Sequence, residues 1–123
     1  MKIQESGENY LEAILVLERR NGNVRSIDVA SFLGFTKPSV SRAMTILKNA
    51  GHIIMEKNGL LHLTESGRKI AAAIYERHQF LSQFLAAIGV SEDTAAQDAC
   101  RIEHVISEET FEKLKEFSSE HLK

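Results

Sequence analysis

Cysteine occurs once, at Cys100, so no intrachain disulfide can form and a small disulfide-stapled secreted domain is excluded; a reducing, cytoplasmic setting is expected. With one proline and seven glycines in 123 residues there is no Pro/Gly/Ser-rich linker, and the sequence has no internal repeat or low-complexity tract. No apolar run reaches the length of a membrane span. The opening MKIQESGENYLEAILVLERR sets acidic residues on both sides of its short apolar stretch, where a signal peptide needs a positive start. No membrane partner is expected. An excess of one charge is missing too: 15 Lys and Arg against 17 Asp and Glu leave a formal charge of -2. The chain is therefore not a uniformly cationic particle, and any DNA binding has to come from a local basic surface. What is present, 43% hydrophobic and 26% charged positions, suits one compact domain or two small sub-domains and excludes both disorder and a large multidomain enzyme.

The charge is unevenly divided. Residues 1–62 carry eight Lys/Arg and six Asp/Glu, whereas residues 63–123 carry seven and eleven, a split that suggests two sub-domains with different tasks. In the first, Tyr10, Leu11, Ile14, Leu15 and Leu17 recur at helical spacing until Asn21-Gly22-Asn23 stops the run. Ser26-Ile27-Asp28 opens a second helix, with Ser26 as its expected N-cap, an apolar face of Val29, Ala30, Phe32 and Leu33, and Gly34 as its end. Thr36 can cap a third helix whose first turn holds Pro38, where the missing N–H costs nothing, and whose buried positions are Val40, Ala43, Met44 and Leu47. Gly51 closes it. A short helix, a Gly-containing turn and a longer helix make a helix-turn-helix from Ser26 to Gly51. From His52 to Leu63 two strand-like runs flank Asn58-Gly59, a strong hairpin signal, and helix-turn-helix plus hairpin is a winged helix.

Helical spacing returns after Thr64, which with Ser66 is a candidate cap for a long helix running to Ile88 and ending before Gly89. This helix is expected to bridge the sub-domains. Ser91-Glu92-Asp93-Thr94 and Ser107-Glu108-Glu109-Thr110 read as two further helix starts, with acidic residues near the positive end of the dipole. The last helix is expected to hold to about Phe117 and then fray. Phe80, Phe84, Leu85, Ile102, Ile106, Phe111 and Leu114 exceed what so short a segment needs for its own core, which makes them the expected dimer face.

On the third helix Thr36, Lys37, Pro38, Ser39, Ser41, Arg42, Thr45 and Lys48 form a face without an acidic side chain, suited to phosphates and base edges of double-stranded operator DNA. Lys57 in the hairpin is placed for a backbone contact. A single unit offers few contacts, so a symmetric homodimer reading paired half-sites is expected.

Cys100, Glu103 and His104 stand at i, i+3 and i+4, which brings sulfur, carboxylate and imidazole to one face of a helix. His78 on the long helix can approach the same face. A mixed hard and soft donor set suits iron(II), manganese(II), cobalt(II), nickel(II) or zinc(II). Spacing alone leaves open that Cys100 is a small buried hydrophobe and that Glu103 with His104 is an ordinary exposed pair.

The run Asp98-Ala99-Cys100-Arg101-Ile102-Glu103-His104-Val105-Ile106-Ser107 closely resembles the metal-binding helix of the diphtheria toxin repressor family of metal-dependent transcriptional repressors. Glu5 to Glu12 resembles that family's first helix, Phe35 to Ser41 the start of its recognition helix, Leu63 to Gly67 the exit of its wing, and Arg77-His78 its linker-helix ligand. The resemblance covers nearly the whole chain and is to the short, two-domain form typified by manganese transport regulators, without an SH3-like third domain. It implies a mainly α fold: a winged helix-turn-helix with a small β-hairpin wing over residues 1–63, then a linker helix and an all-α metal-binding and dimerisation domain over residues 64–123. It also implies Glu12, His78, Cys100, Glu103 and His104 as ligands of manganese(II) or iron(II), with cobalt(II), nickel(II) or zinc(II) as substitutes. Asn9 stands where relatives place methionine or aspartate and would be a weaker, neutral oxygen donor. Ser82 and Ala96 occupy the ancillary-site positions, so one principal site is expected, with a binuclear variant left open.

The function these observations imply is a cytoplasmic repressor in which a divalent metal locks a homodimer into a DNA-binding conformation at metal-homeostasis genes. An alternative is a winged-helix regulator responding to a non-metal effector or to oxidation of Cys100. An enzyme is not expected, since the sequence has no nucleophile elbow, phosphate loop or His-Glu-x-x-His run.

Overall fold

The computed structural model describes residues 5–122. Six helices and one hairpin follow in order: α1 (Glu5–Asn21), α2 (Ser26–Leu33), α3 (Lys37–Asn49), β1 (Ile53–Met55), β2 (Leu61–Leu63), α4 (Glu65–Ala87), α5 (Glu92–Val105) and α6 (Glu108–His121). The chain divides into two compact units between Ala72 and Ala73, a point through which α4 runs without interruption.

The first unit forms around the helical stripe of α1. Leu11, Ile14 and Leu15 have essentially no exposed surface, and Val29, Val40, Met44 and Leu61 are buried with them. Each such side chain contributes about 1.5–3 kcal/mol on leaving water, which is why elements as short as α2 persist. Thr36 caps α3 as its sequence indicates, its Oγ1 accepting from the Ser39 amide at 3.3 Å, and Pro38 sits in the first turn.

Four sequence expectations change here. The N-cap of α2 is Arg25 and not Ser26; the Asp28 carboxylate, at N3, reaches back to accept the Arg25 amide at 2.9 Å, the bond that the acid of a capping box makes to the N-cap backbone. Phe32 is half exposed, with the Arg20 guanidinium 5.5 Å from its ring centroid, because an eight-residue helix presents only one face to the core and Val29 and Ala30 occupy it. Ala43 is half-buried, while Val40, Met44 and Leu47 are buried as expected. The hairpin turn uses three residues, Lys57, Asn58 and Gly59, rather than an Asn-Gly pair alone. The Gly59 amide donates to the Glu56 carbonyl, and Gly59 at φ +89° supplies the left-handed residue that lets Glu56 pair again with Leu60. The register is Ile53 with Leu63, Ile54 with His62 and Met55 with Leu61.

The Leu63 to Gly67 segment ties the hairpin to α4. Thr64, rather than Ser66, caps the helix, its Oγ1 accepting from the Gly67 amide at 3.2 Å while donating to the Gly51 carbonyl at 2.7 Å. Ser66 Oγ bonds the Gly51 carbonyl at 3.2 Å and lies 3.0 Å from His52 Nδ1. Gly67 packs against the same turn so closely that a Cβ there would meet the His52 carbonyl oxygen at 2.0 Å.

In the second unit α5 turns a stripe of small residues inward, Ala95 and Ala99, followed at the same four-residue spacing by Glu103. Ser107 caps α6, accepting from the Thr110 amide at 3.1 Å. That helix continues to His121, one turn beyond the expected fraying point at Phe117. Phe111 is buried, with its ring 5.5 Å from that of half-buried Phe80 in an edge-on contact, so Phe111 belongs to the unit's own core. The large apolar side chains exposed in this unit are Ile88, Val105 and Phe117.

Candidate metal centre

Glu103 has no exposed surface. Four-residue spacing sets it in line with Ala95 and Ala99, so the stripe that buries α5 also carries a carboxylate out of water, a placement that costs several kcal/mol unless the charge is met. Two imidazoles meet it. His78 Nδ1 lies 2.9 Å from Oε2, and His104 Nε2 lies 3.3 Å from Oε1. The His104 side chain is itself fully buried and that of His78 is about one-third exposed. Oε1 nevertheless makes no hydrogen bond, which leaves a lone pair of a buried carboxylate unsatisfied.

α4 supplies the partners from consecutive positions. His78 takes the Glu103 side chain, while Arg77 Nη1 donates to the Glu103 carbonyl at 3.2 Å and to the Ile106 carbonyl at 2.8 Å. The guanidinium thus satisfies carbonyls that the end of α5 would otherwise leave without partners, and it lies over the Phe111 ring at 5.3 Å. One residue earlier, Glu76 accepts from Lys115 Nζ at 2.9 Å; that carboxylate holds the lysine ammonium above its ordinary range. Sequence reasoning missed Arg77 as a positioning residue. Nothing local marks it, because its acceptors lie 26 and 29 residues downstream.

The donor chemistry fits a divalent transition metal. A buried carboxylate with an orphaned oxygen, between two imidazole nitrogens, is an oxygen and nitrogen set with one negative charge waiting to be balanced. Cys100 shares the helix and is exposed, whereas Glu103 and His104 turn their side chains inward. Asn9 and Glu12, at i and i+3 on α1 in the first unit, are both half-buried.

The residues expected from the sequence to face nucleic acid lie on α3 and in the hairpin turn of the first unit. Thr36, Lys37, Pro38, Ser41, Arg42 and Lys48 are exposed and Ser39 is half-buried; Lys57 is exposed in the hairpin turn. Thr36 and Ser39 also bond each other, Oγ1 donating to Oγ at 2.9 Å, so both serve the start of the helix. Arg42 has no acidic neighbour along α3. Among the described residues no helix is long and apolar enough to cross a membrane.

Comparison with known proteins agrees with both halves. Residues 2–61 match the iron dependent repressor N-terminal DNA binding domain, and residues 64–121 match the iron dependent repressor metal binding and dimerisation domain. The chain is 37% identical over 114 residues to the transcriptional regulator MntR of Escherichia coli, an alignment covering 93% of this chain and 74% of that protein. The manganese regulator SloR superposes with a TM-score of 0.82 at 24% identity, covering 97% of this chain and 55% of that one, a likeness of fold. A manganese-dependent transcriptional repressor in complex with manganese superposes with a TM-score of 0.82 at 25% identity, over 89% of this chain and 51% of that one. This chain therefore spans about half the length of those two solved chains. With a DNA-binding domain, a metal-binding and dimerisation domain, and extended identity to MntR, the chain belongs to the iron-dependent repressor family, a family of metal-dependent transcriptional regulators and not of enzymes.

Proposed function

We propose that this protein represses metal-homeostasis genes in the cytoplasm when manganese(II) or iron(II) is plentiful, with a functional boundary after Leu63 separating DNA reading from metal sensing and dimerisation. The observation that carries the proposal is the Glu103 carboxylate, wholly buried, flanked by His78 and His104, with Oε1 lacking a hydrogen bond. Such a group is destabilising alone and becomes favourable when a cation neutralises it. His78, Glu103 and His104 are the proposed inner donors. Cys100, Glu12 and Asn9 complete the proposed set on the strength of the family resemblance. When bound, the metal would supply positive charge beside the buried Glu103 carboxylate.

The remaining parts of the proposed switch belong to the chain. Arg77 holds the last turn of α5 by two carbonyls, so the Glu103 backbone is set before its side chain engages a ligand. Thr36, Lys37, Pro38, Ser39, Ser41, Arg42 and Lys48, with Lys57 in the turn, are proposed to read operator DNA from a symmetric homodimer. For metal to act as a switch, the DNA-competent state must bind it more tightly, and swinging a population from 1:99 to 99:1 takes about 5.5 kcal/mol of differential affinity. Operator DNA must then tighten metal binding by the same factor.

The test is binding to the promoter of the neighbouring metal-transport gene, and to selected random duplexes, first in chelator and then with manganese(II), anaerobic iron(II) or zinc(II). Binding that appears only with metal supports the repressor and ranks its effectors. Strong binding in chelator removes the metal switch and turns attention to Cys100.

A further inference from the structure

Two cations of the first unit are either neutralised or stacked. Arg68 bonds both oxygens of Glu18, at 2.9 and 3.2 Å, and Arg20 lies over the ring of Phe32. Arg25 differs. Its backbone is fixed on two sides: its amide donates to Asp28, and it pairs with Leu60 in an isolated antiparallel bridge next to the Leu61 amide donating to the Val24 carbonyl. Its guanidinium is fixed as well, since Nη1 donates to the Asn58 carbonyl in the hairpin turn. The guanidinium lies directly against the turn: a Cβ at Gly59 would stand 3.4 Å from Nη1. The acceptor is a neutral carbonyl, and among the described residues no carboxylate lies within ion-pair distance of the Arg25 side chain. Arg25 is thus an exposed, oriented and uncompensated positive charge, one residue before α2 and against the turn that carries Lys57.

We propose that Arg25 is a phosphate-binding residue of the DNA interface, pre-positioned by the Asn58 carbonyl and forming with Lys57 a two-charge clamp on the operator backbone. The proposal rests on the winged-helix reading above. One guanidinium N–H is committed to Asn58 and the planar fork has others to offer, which suits a phosphate oxygen. Anchoring by the carbonyl reduces the side-chain entropy that an unrestrained surface arginine loses on binding. Contact with the backbone adds affinity without sequence preference.

The test measures operator and random-duplex affinity against salt, at saturating manganese(II), for the full chain, R25Q, R25K, K57Q and R25Q/K57Q. The expected result is that R25Q reduces the slope of log affinity against log salt by about one per subunit, about two for the homodimer, while leaving the operator-to-random ratio unchanged. R25K is expected to keep most of the slope, which also controls for folding. The double variant is expected to lose about two per subunit, about four for the homodimer. An unchanged slope in R25Q overturns the proposal. So does a double variant no worse than K57Q, which would mean that Arg25 serves only to hold Lys57. Failure of the unaltered protein to bind any duplex would instead discard the DNA-binding reading itself.

Discussion

His78 Nδ1 lies 2.9 Å from Oε2 of Glu103, a carboxylate with no exposed surface, and the two residues are 25 positions apart. A buried acid held by one imidazole on Oε2, with its Oε1 unbonded, is a group whose charge costs stability until a cation arrives.

Replacing that acid by its amide separates the two effects. In chelator, E103Q is expected to melt at or above the temperature of the unaltered protein, since a buried charge is removed with little change of volume. Adding manganese(II) at 100 times its dissociation constant should stabilise the unaltered protein by about 2.7 kcal/mol and E103Q by far less. Thermal unfolding with and without metal checks both. A metal-induced shift of equal size in E103Q would exclude Glu103 as a ligand.

The G67A variant tests the seam between hairpin and helix. Its added methyl would stand 2.0 Å from the His52 carbonyl oxygen, which is backbone and cannot swing aside. A loss of about 1–3 kcal/mol or more is expected, read as a lower urea midpoint with unchanged slope. A midpoint equal to that of the unaltered protein would mean that the seam yields.

The Arg68 to Glu18 pair should matter little. Arg68 is 49% exposed and Glu18 26%, so R68A is expected to cost under about 1 kcal/mol. The bond to Glu18 holds the Arg68 guanidinium above its ordinary range. A raised cationic group contributes stability below its unfolded value and loses it as pH climbs through the folded one, which here lies far into alkali. The stability difference between R68A and the unaltered protein is therefore expected to be flat from about pH 6 to pH 9. Paired melts across that range check it, and a steep change within it would point to another titrating partner.

R42A addresses discrimination rather than stability. Arg42 is exposed on α3, away from any acid of that helix. If it grips a base edge with two hydrogen bonds, its loss should reduce the operator-to-random ratio by the equivalent of about 1–3 kcal/mol, with little change in melting temperature. An unchanged ratio in a gel-shift or anisotropy titration would show that Arg42 reads no base.

Elements with strong local signals are legible in the sequence. The winged helix follows from the stripe at Leu11, Ile14 and Leu15, the Thr36 cap with Pro38 behind it, and Gly59 in its turn, because each reports a backbone preference that acts within a few residues. Local signals also misled. Ser26 is the better N-cap by type, yet Arg25 holds the position because its backbone is already paired with Leu60 and its amide with Asp28. Phe111 belongs by composition to an apolar excess, and it became core once Phe80 packed against it.

Within the candidate site the division is the same. The i, i+3, i+4 spacing of Cys100, Glu103 and His104 is a property of helical geometry and was determined by the sequence alone. Which of the three goes inside was decided by tertiary structure: Ala95 and Ala99 bury the line on which Glu103 lies, while Cys100 stays exposed. The approach of His78 to Glu103, the two carbonyls held by Arg77 and the wing contact of Arg25 likewise link residues 25 to 33 positions apart. Periodicity encodes what a residue can face. Only the packing of one element on another determines what it meets, because that contact depends on the summed burial of many side chains and not on any local preference.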